Sequence, residues 1–241
     1  MNLLIYKTQD ELFEDLIDYI INIANRAIAE KDCFNFVLTG GNSPKALYER
    51  LASSYKDKVD WSKVYFFFGD ERNVPPNHES YNGLMAKISL LAPLNITEDH
   101  IFYVDTTLEP EKAAIEYHKA IRNHFDGGDM TFDLILLGMG DDAHTASLFP
   151  GTSILKNKEV EIDSVYIEKL STYRISFTAP LINKAKNIAF LVFGESKANA
   201  VKHVIEDEKK NTSLFPTQLI NPIDGHVTWF IDDAAASRLD N

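Results

Sequence analysis

Between residues 134 and 151 the chain reads LILLGMGDDAHTASLFPG. Four apolar residues, Leu134 to Leu137, break into Gly138-Met139-Gly140, and Asp141, Asp142 and His144 follow at once. Two chemistries fit these residue types. Gly138-x-Gly140-x-x-Ala143 matches the glycine fingerprint of a dinucleotide-binding turn, in which the backbone closes on a pyrophosphate. Against it, Asp141 and Asp142 put negative charge where that anion would rest, and the stretch lies past the middle of the chain. Alternatively, the loop presents an imidazole for acid–base work. A histidine that is neutral near pH 7 can take a proton from water, and a neighbouring carboxylate can fix its tautomer and stabilise the imidazolium. Spacing alone does not choose between Asp141 and Asp142 as the partner of His144.

Two further loops leave apolar runs in the same way, TGGNSP (39–44) and GDERNVPP (69–76). In the first, Gly40, Gly41, Asn42 and Ser43 suit an anion: glycines admit close backbone approach, and amides at a helix start point outward. A tight turn with a good cap explains the same residues equally well. The triphosphate-binding pattern G-x-x-x-x-G-K-[ST] is not met there. In the second, Asp70, Glu71 and Arg72 stand at a strand end, where burial is costly unless they pair or meet a ligand. Arg72 could hold a carboxylate, a phosphate or a developing oxyanion; the plainer reading is a surface turn with an internal ion pair. Arg174 and Lys197 are isolated in sequence and matter only if they converge on the Ser43 loop as a phosphate clamp. Neither an HExxH pattern nor a paired-histidine cluster suggests a metal, so none is expected. The other six of the seven histidines are assigned surface or structural roles, His118 among them, within a helical pattern. Cys33, between Lys31-Asp32 and the Phe34 and Phe36 run, reads as a buried small hydrophobe.

The elements that must position these loops are legible as periodicities. Strands are expected at 3–6, 34–39, 64–68, 101–104, 132–137, 165–170, 173–178, 187–193 and 227–231. Helices are expected at 9–30, from a Ser43 cap with Pro44 at the first position through Leu51, at 80–91, at 110–124, and near 179–186 and 196–207. The run EDEKK (206–210) reads as a solvated helix end. Several strands are apolar throughout rather than alternating, the mark of a sheet covered on both faces. The expectation is therefore an α/β, Rossmann-like fold, with a largely parallel sheet covered by helices on both faces, in a single domain spanning 1–241. Ligands in such folds sit beyond the carboxyl ends of the strands, so the three loops should serve one pocket.

Composition narrows the partners. The chain has 241 residues, 45% of them hydrophobic, which argues against disorder. A net charge of −12 disfavours nucleic acid and anionic membranes without excluding a small phosphorylated substrate. One cysteine cannot form an internal disulfide. The opening MNLLIYKTQDELFEDL has neither the basic start nor the apolar run of a signal peptide, and a cytoplasmic monomer is expected, with a weak dimer as the alternative.

Taken together, LTGGNSPKALYERLA, VYFFFGDERNVPPNHESYNG and FDLILLGMGDDAHTASLFPG resemble the 6-phosphogluconolactonase family in order and spacing. RISFTAPLINKAKNIAFLVFGESKA and PTQLINPIDGHVTWFIDDAAAS extend the resemblance over nearly the whole chain. The loop at 138–151 is its most specific part, and GDER with VPP is the second. That family is related to the glucosamine-6-phosphate deaminases and shares their Rossmann-like architecture. The resemblance implies hydrolysis of 6-phospho-D-glucono-1,5-lactone to 6-phosphogluconate in the oxidative pentose phosphate pathway, with no metal or organic cofactor. It implies His144 as general base, Asp142 as the acid that orients it, and Arg72 as the cation that steadies the carbonyl oxygen. Asp70 would contact sugar hydroxyls or hold Arg72, and Gly41, Ser43, Arg174 and Lys197 match positions associated with the phosphate.

Two positions depart from the family pattern. Its loop usually reads Asp-Gly-His, and here Ala143 stands between Asp142 and His144. Alanine takes positive φ less cheaply than glycine, so the loop should be strained yet tolerated. Deaminase relatives carry a glutamate five residues after the loop histidine, and here that place is Phe149, which cannot relay protons for ring opening. The alternatives are an amino-sugar phosphate deaminase or isomerase with Asp70 as base, a non-catalytic sugar-phosphate sensor, and a nicotinamide dehydrogenase. For the last, titration calorimetry with NAD and NADP is expected to show no binding; saturable binding of either would return the glycines to the nucleotide reading.

Overall fold

A computed structural model describes residues 1–240. In chain order it forms β1 (Asn2–Tyr6), α1 (Gln9–Lys31), β2 (Phe34–Leu38), α2 (Asn42–Ser54), β3 (Val64–Phe68), β4 (Asp70–Arg72), α3 (Asn82–Ala86) and α4 (Pro110–His124). There follow β5 (Leu134–Leu137), β6 (Ile162–Ile167), β7 (Thr172–Phe177), α5 (Ala179–Ile182), β8 (Asn187–Val192), α6 (Ala198–Glu206), β9 (His226–Asp232) and α7 (Asp233–Ala236). Six strands make one sheet in the order β1-β9-β8-β5-β2-β3, every neighbouring pair parallel. Successive side chains of each strand serve opposite faces. Phe36, Leu38, Phe66, Phe68, Leu134 and Leu136 pack on the side that includes α1 and α2. Val37, Phe67, Ile135, Leu137, Phe190 and Trp229 pack on the other, with α4 and α6. The continuous apolar runs thus reflect a sheet buried on both faces.

α1 starts with a capping box: the Thr8 side chain accepts from the Glu11 amide, and the Glu11 carboxylate accepts from the Thr8 amide. Its apolar stripe, including Leu12, Leu16 and Ile20, is fully buried. α2 begins differently from the sequence expectation. Its first residue is Asn42, its N-cap is Gly41 at φ 116, and no side chain caps it, so Ser43 lies inside the first turn. Glycine reaches that φ without a Cβ penalty and so can set the turn that a serine cap was expected to set.

Other differences have local causes. The stretch 101–104 makes only an isolated bridge from Ile101 to Phe66, with one bond from the Phe102 amide to the Phe66 carbonyl at 2.9 Å. It touches the edge strand at one point rather than extending the sheet. The helix expected over 80–91 is α3 continued by a π turn at Lys87–Leu91. The one expected near 179–186 ends at Ile182, where the Asn183 side chain instead donates to the Leu219 carbonyl at 2.9 Å. Cys33 is half-buried, in the connection where Asp32 turns the chain at φ 61.

The largest departure is a second sheet. β4, β7 and β6 pair antiparallel, and β4 follows β3 with only Gly69 between them. Gly69 makes the transfer: its amide donates to Leu38 at 3.1 Å and its carbonyl accepts from Phe177 at 2.9 Å. The sequence Asp70-Glu71-Arg72 carries no strand pattern, so this element is invisible to periodicity. Its effect is to carry Asp70 and Arg72 from the end of the large sheet to the edge of a small one. Among the described residues, no helix is long and apolar enough to cross a membrane.

Candidate active site

The three strand-end loops converge. They line a cavity of about 320 Å³ that contains Gly40, Asp70, Arg72, His144, Arg174 and Lys197. A cleft of about 650 Å³ adjoins it, shares Arg72, and is lined by Gly41, Asn42 and Lys45. Ser43 lines neither and is half-buried in α2. Of the candidate site residues read from the sequence, only Ser43 and Asp141 are not brought to these walls or into contact with them.

His144 is held from two sides. Its Nδ1 lies 2.5 Å from Asp142 Oδ1, which also accepts the His144 amide at 3.2 Å. Asp141 is exposed, so geometry selects Asp142 as the partner. Half-burial by itself raises the Asp142 carboxyl, yet the hydrogen bonds from His144 and from the Lys169 ammonium outweigh it and hold Asp142 well below the ordinary carboxylate range. An ionised Asp142 can only accept, so Nδ1 carries the hydrogen and Nε2 keeps its lone pair. The ring of Phe149 stacks on the imidazole, with centroids 3.9 Å apart and planes 18° apart.

The loop backbone is built around this ring. A Cβ at Gly140 would stand 2.1 Å from His144 Nδ1, so only glycine leaves room for the imidazole. Ala143 adopts φ 58, and its methyl is fully buried. Its carbonyl accepts two bonds from Thr217, from the amide at 3.0 Å and the hydroxyl at 2.7 Å. A left-handed alanine costs about 1–2 kcal/mol, and Thr217 supplies the compensating contacts. Gly40 answers a different demand. A Cβ there would meet Asn82 Oδ1 at 1.9 Å, and the Asn82 amide donates to the Asp70 carbonyl at 3.0 Å. Close packing of α3, rather than an anion alone, requires that glycine.

The charges of the second loop separate. The Asp70 carboxylate accepts from the Ser147 hydroxyl at 2.7 Å and makes no ion pair with Arg72, contrary to one of the roles expected for it. The buried Glu71 carboxylate accepts amides of Arg72, Asn82 and Gly83 at 2.8, 2.8 and 2.9 Å, which ties β4 to the start of α3. Burial pushes Glu71 up to about 8 against those bonds. Arg72 donates to the Ser80 carbonyl at 2.8 Å, and its Nε is buried without a partner, as is that of Arg174. Arg72 and Arg174 are direct neighbours across β4 and β7. Among the described residues neither has a carboxylate within ion-pair reach. Like charges placed opposite one another oppose pairing, and an anion between the two strands would relieve them.

Sequence reasoning missed Lys169, Ser147 and Thr217. Ser147 lay inside the recognised loop but carried no charge, and Thr217 sits in PTQL with no motif around it. Lys169 lies in a turn between β6 and β7, so its approach to Asp142 depends on the unforeseen second sheet.

A parallel α/β sheet with an oriented histidine and clustered arginines beyond its strand ends defines an enzyme for small anionic substrates. The family model described as glucosamine-6-phosphate isomerases/6-phosphogluconolactonase matches residues 7–229, and the chain belongs to that family. It is 39% identical to a probable 6-phosphogluconolactonase 1 of Arabidopsis thaliana, covering 98% of this chain and 92% of that relative. A probable 6-phosphogluconolactonase 3, chloroplastic, of Oryza sativa subsp. indica is 36% identical over 98% of this chain and 76% of that one. Among solved structures, the 6-phosphogluconolactonase of Trypanosoma cruzi superposes with a TM-score of 0.86 at 25% identity, covering 100% of this chain and 97% of that one.

Two outcomes follow from the loop. Ala143→Gly should change stability to urea by less than about 1 kcal/mol, because relief of left-handed strain is offset by loss of a buried methyl and a more flexible unfolded chain. Ala143→Val should cost roughly 3 kcal/mol or more, since a β-branched residue is both strained and overpacked there. The second outcome concerns acid. The Asp142 carboxyl is depressed in the folded state, so its contribution is complete at neutral pH. It is lost as pH falls through the ordinary carboxylate range toward the folded value. Urea melts of Asp142→Asn should therefore show a shallower loss of stability below pH 5 than those of the parent; an unchanged acid dependence would contradict this.

Proposed function

We propose that the chain hydrolyses 6-phospho-D-glucono-1,5-lactone to 6-phospho-D-gluconate, the hydrolytic step of the oxidative pentose phosphate pathway. The observation that carries the reading is the Asp142–His144 hydrogen bond beside a cavity lined by two arginines without carboxylate partners. His144 Nε2 takes a proton from water as the oxygen attacks the lactone carbonyl carbon. The carbonyl electrons move onto oxygen, and Arg72 is the cation placed to stabilise that oxyanion. Collapse of the tetrahedral adduct breaks the bond to the ring oxygen, which receives the proton from the imidazolium. The open-chain carboxylic acid so formed releases its remaining proton to solvent as the carboxylate, and His144 returns to its neutral form. Asp142 holds the tautomer throughout.

The phosphate is assigned to Arg174 and Lys197 together with the start of α2, where Gly40, Gly41 and Asn42 line the adjoining walls and amides of the first turn face a negative charge. Holding the far end of the substrate positions its carbonyl for attack. Asp70, fixed by Ser147, is assigned to the sugar hydroxyls. No organic cofactor or metal enters this sequence of steps. The reading treats the chain as one catalytic domain, monomeric and cytoplasmic; a reducing compartment suits a protein with one cysteine. Phe149, stacked on His144, puts an apolar ring where a deaminase would need a carboxyl group.

The test is a coupled assay in which glucose-6-phosphate dehydrogenase generates the lactone and 6-phosphogluconate dehydrogenase reports the product, at a pH that slows spontaneous hydrolysis. The protein should accelerate product formation, and His144→Ala should lose about 10²–10⁴-fold in rate with little change in melting temperature. Full activity in that variant would remove His144 as base. Ammonia release from glucosamine 6-phosphate, without lactone hydrolysis, would favour the deaminase; tight binding of 6-phosphogluconate without turnover would favour a sensor.

A further inference from the structure

We propose that Lys169 is a positioning residue for this reaction: by holding the second oxygen of Asp142 it limits the negative charge felt by His144 and keeps that imidazole available as a base. The inference rests on the reading of His144 as the base. Its ground is a closed circuit of four side chains. Asp142 Oδ1 meets His144 Nδ1 at 2.5 Å, and Asp142 Oδ2 pairs with Lys169 Nζ. Lys169 Nζ in turn lies 4.7 Å from the centre of the Phe149 ring, and Phe149 stacks on His144 at 3.9 Å.

An exposed lysine–carboxylate pair ordinarily contributes little. This one differs because its carboxylate is shared. The Asp142 side chain is 25% exposed, while that of Lys169 is 52% exposed. The ammonium is thus confined by a carboxylate on one side and an aromatic ring on another, and Phe149 is itself only 5% exposed. A carboxylate hydrogen-bonded to an imidazole favours the imidazolium, which cannot accept a proton from water. A second cation on the same carboxylate opposes that effect. The other charges around the cavity are Asp70, Arg72, Arg174 and Lys197, with Asp141 exposed on the same loop. Among the described residues Lys169 is the cation that pairs with Asp142. Lys169 also precedes Arg174 on the hairpin formed by β6 and β7, so the same segment supplies the tuning cation and one of the cavity arginines.

The experiment compares the parent, Lys169→Met, Lys169→Arg and His144→Ala. Two readouts are used: the acid limb of kcat/KM for lactone hydrolysis, and NMR titration of the His144 ring proton, identified by its loss in His144→Ala. Lys169→Met should move both midpoints to higher pH by about half to one unit and depress kcat more than it raises KM. Lys169→Arg should restore the parent midpoint. A midpoint that does not move in Lys169→Met overturns the proposal, even if activity falls, because a merely structural lysine would lower rate without displacing the titration. Parent-like activity in His144→Ala would instead overturn the base assignment, whatever the lysine variants do.

Discussion

A sheet buried on both faces leaves charge one outlet, the ends of its strands. Along β2, β3 and β5 the side chains alternate between two apolar cores, and nearly every position is closed to solvent. An ionised group placed mid-strand there would need a partner at considerable cost. Polar residues therefore accumulate where the strands stop. Because all six strands run parallel, the loops after β2, β3 and β5 stop on one edge. The small antiparallel sheet extends that edge. It takes the chain at Gly69, turns it away from the large sheet, and brings Arg174 across from Arg72.

The unfavourable features of the structure are gathered at this edge. Two guanidinium groups oppose one another, Ala143 and Ala146 both hold positive φ within four residues, and Glu71 is buried. Each is compensated locally. Backbone amides satisfy Glu71, Thr217 holds the Ala143 carbonyl, and Arg72 donates to the Ser80 carbonyl. Such concentration of strain is expected where the rest of the molecule is rigid enough to impose it. The Asp142–His144 pair depends on the same rigidity, since its geometry follows from the left-handed residue between the two side chains and from the space left at Gly140.

How much of this was legible depended on whether a residue's role is local. Strands and helices that bury an apolar stripe were visible as periodicities, and α4 matches its expected bounds at both ends. The three glycine- or charge-rich loops announced themselves because they interrupt apolar runs. Long-range partnerships did not. Asp141 and Asp142 are equivalent in sequence, and only the turn at Ala143 separates them. Gly40 read as an anion-binding glycine, yet its tightest neighbour is Asn82, 42 positions along the chain. β4 lacks any strand signature because its pairing partner, β7, lies about a hundred residues later. Lys169 and Thr217 reach the site through that pairing and through the segment before β9, which no local pattern encodes.

The pairing of β1 with β9 has a kinetic consequence. The first strand of the chain hydrogen-bonds only to the last, from Asn2–Thr228 to Tyr6–Asp232. During synthesis β1 must wait, with α1 behind it, until β9 has emerged more than two hundred residues later. Closing so long a loop is entropically costly, and parallel topologies of this kind fold slowly. Removal of β9 would therefore strip β1 of its partner and leave the edge of β8 unpaired. β1 and β9 thus act as a single late clasp, and the sheet closes only once the segment through β9 has joined it.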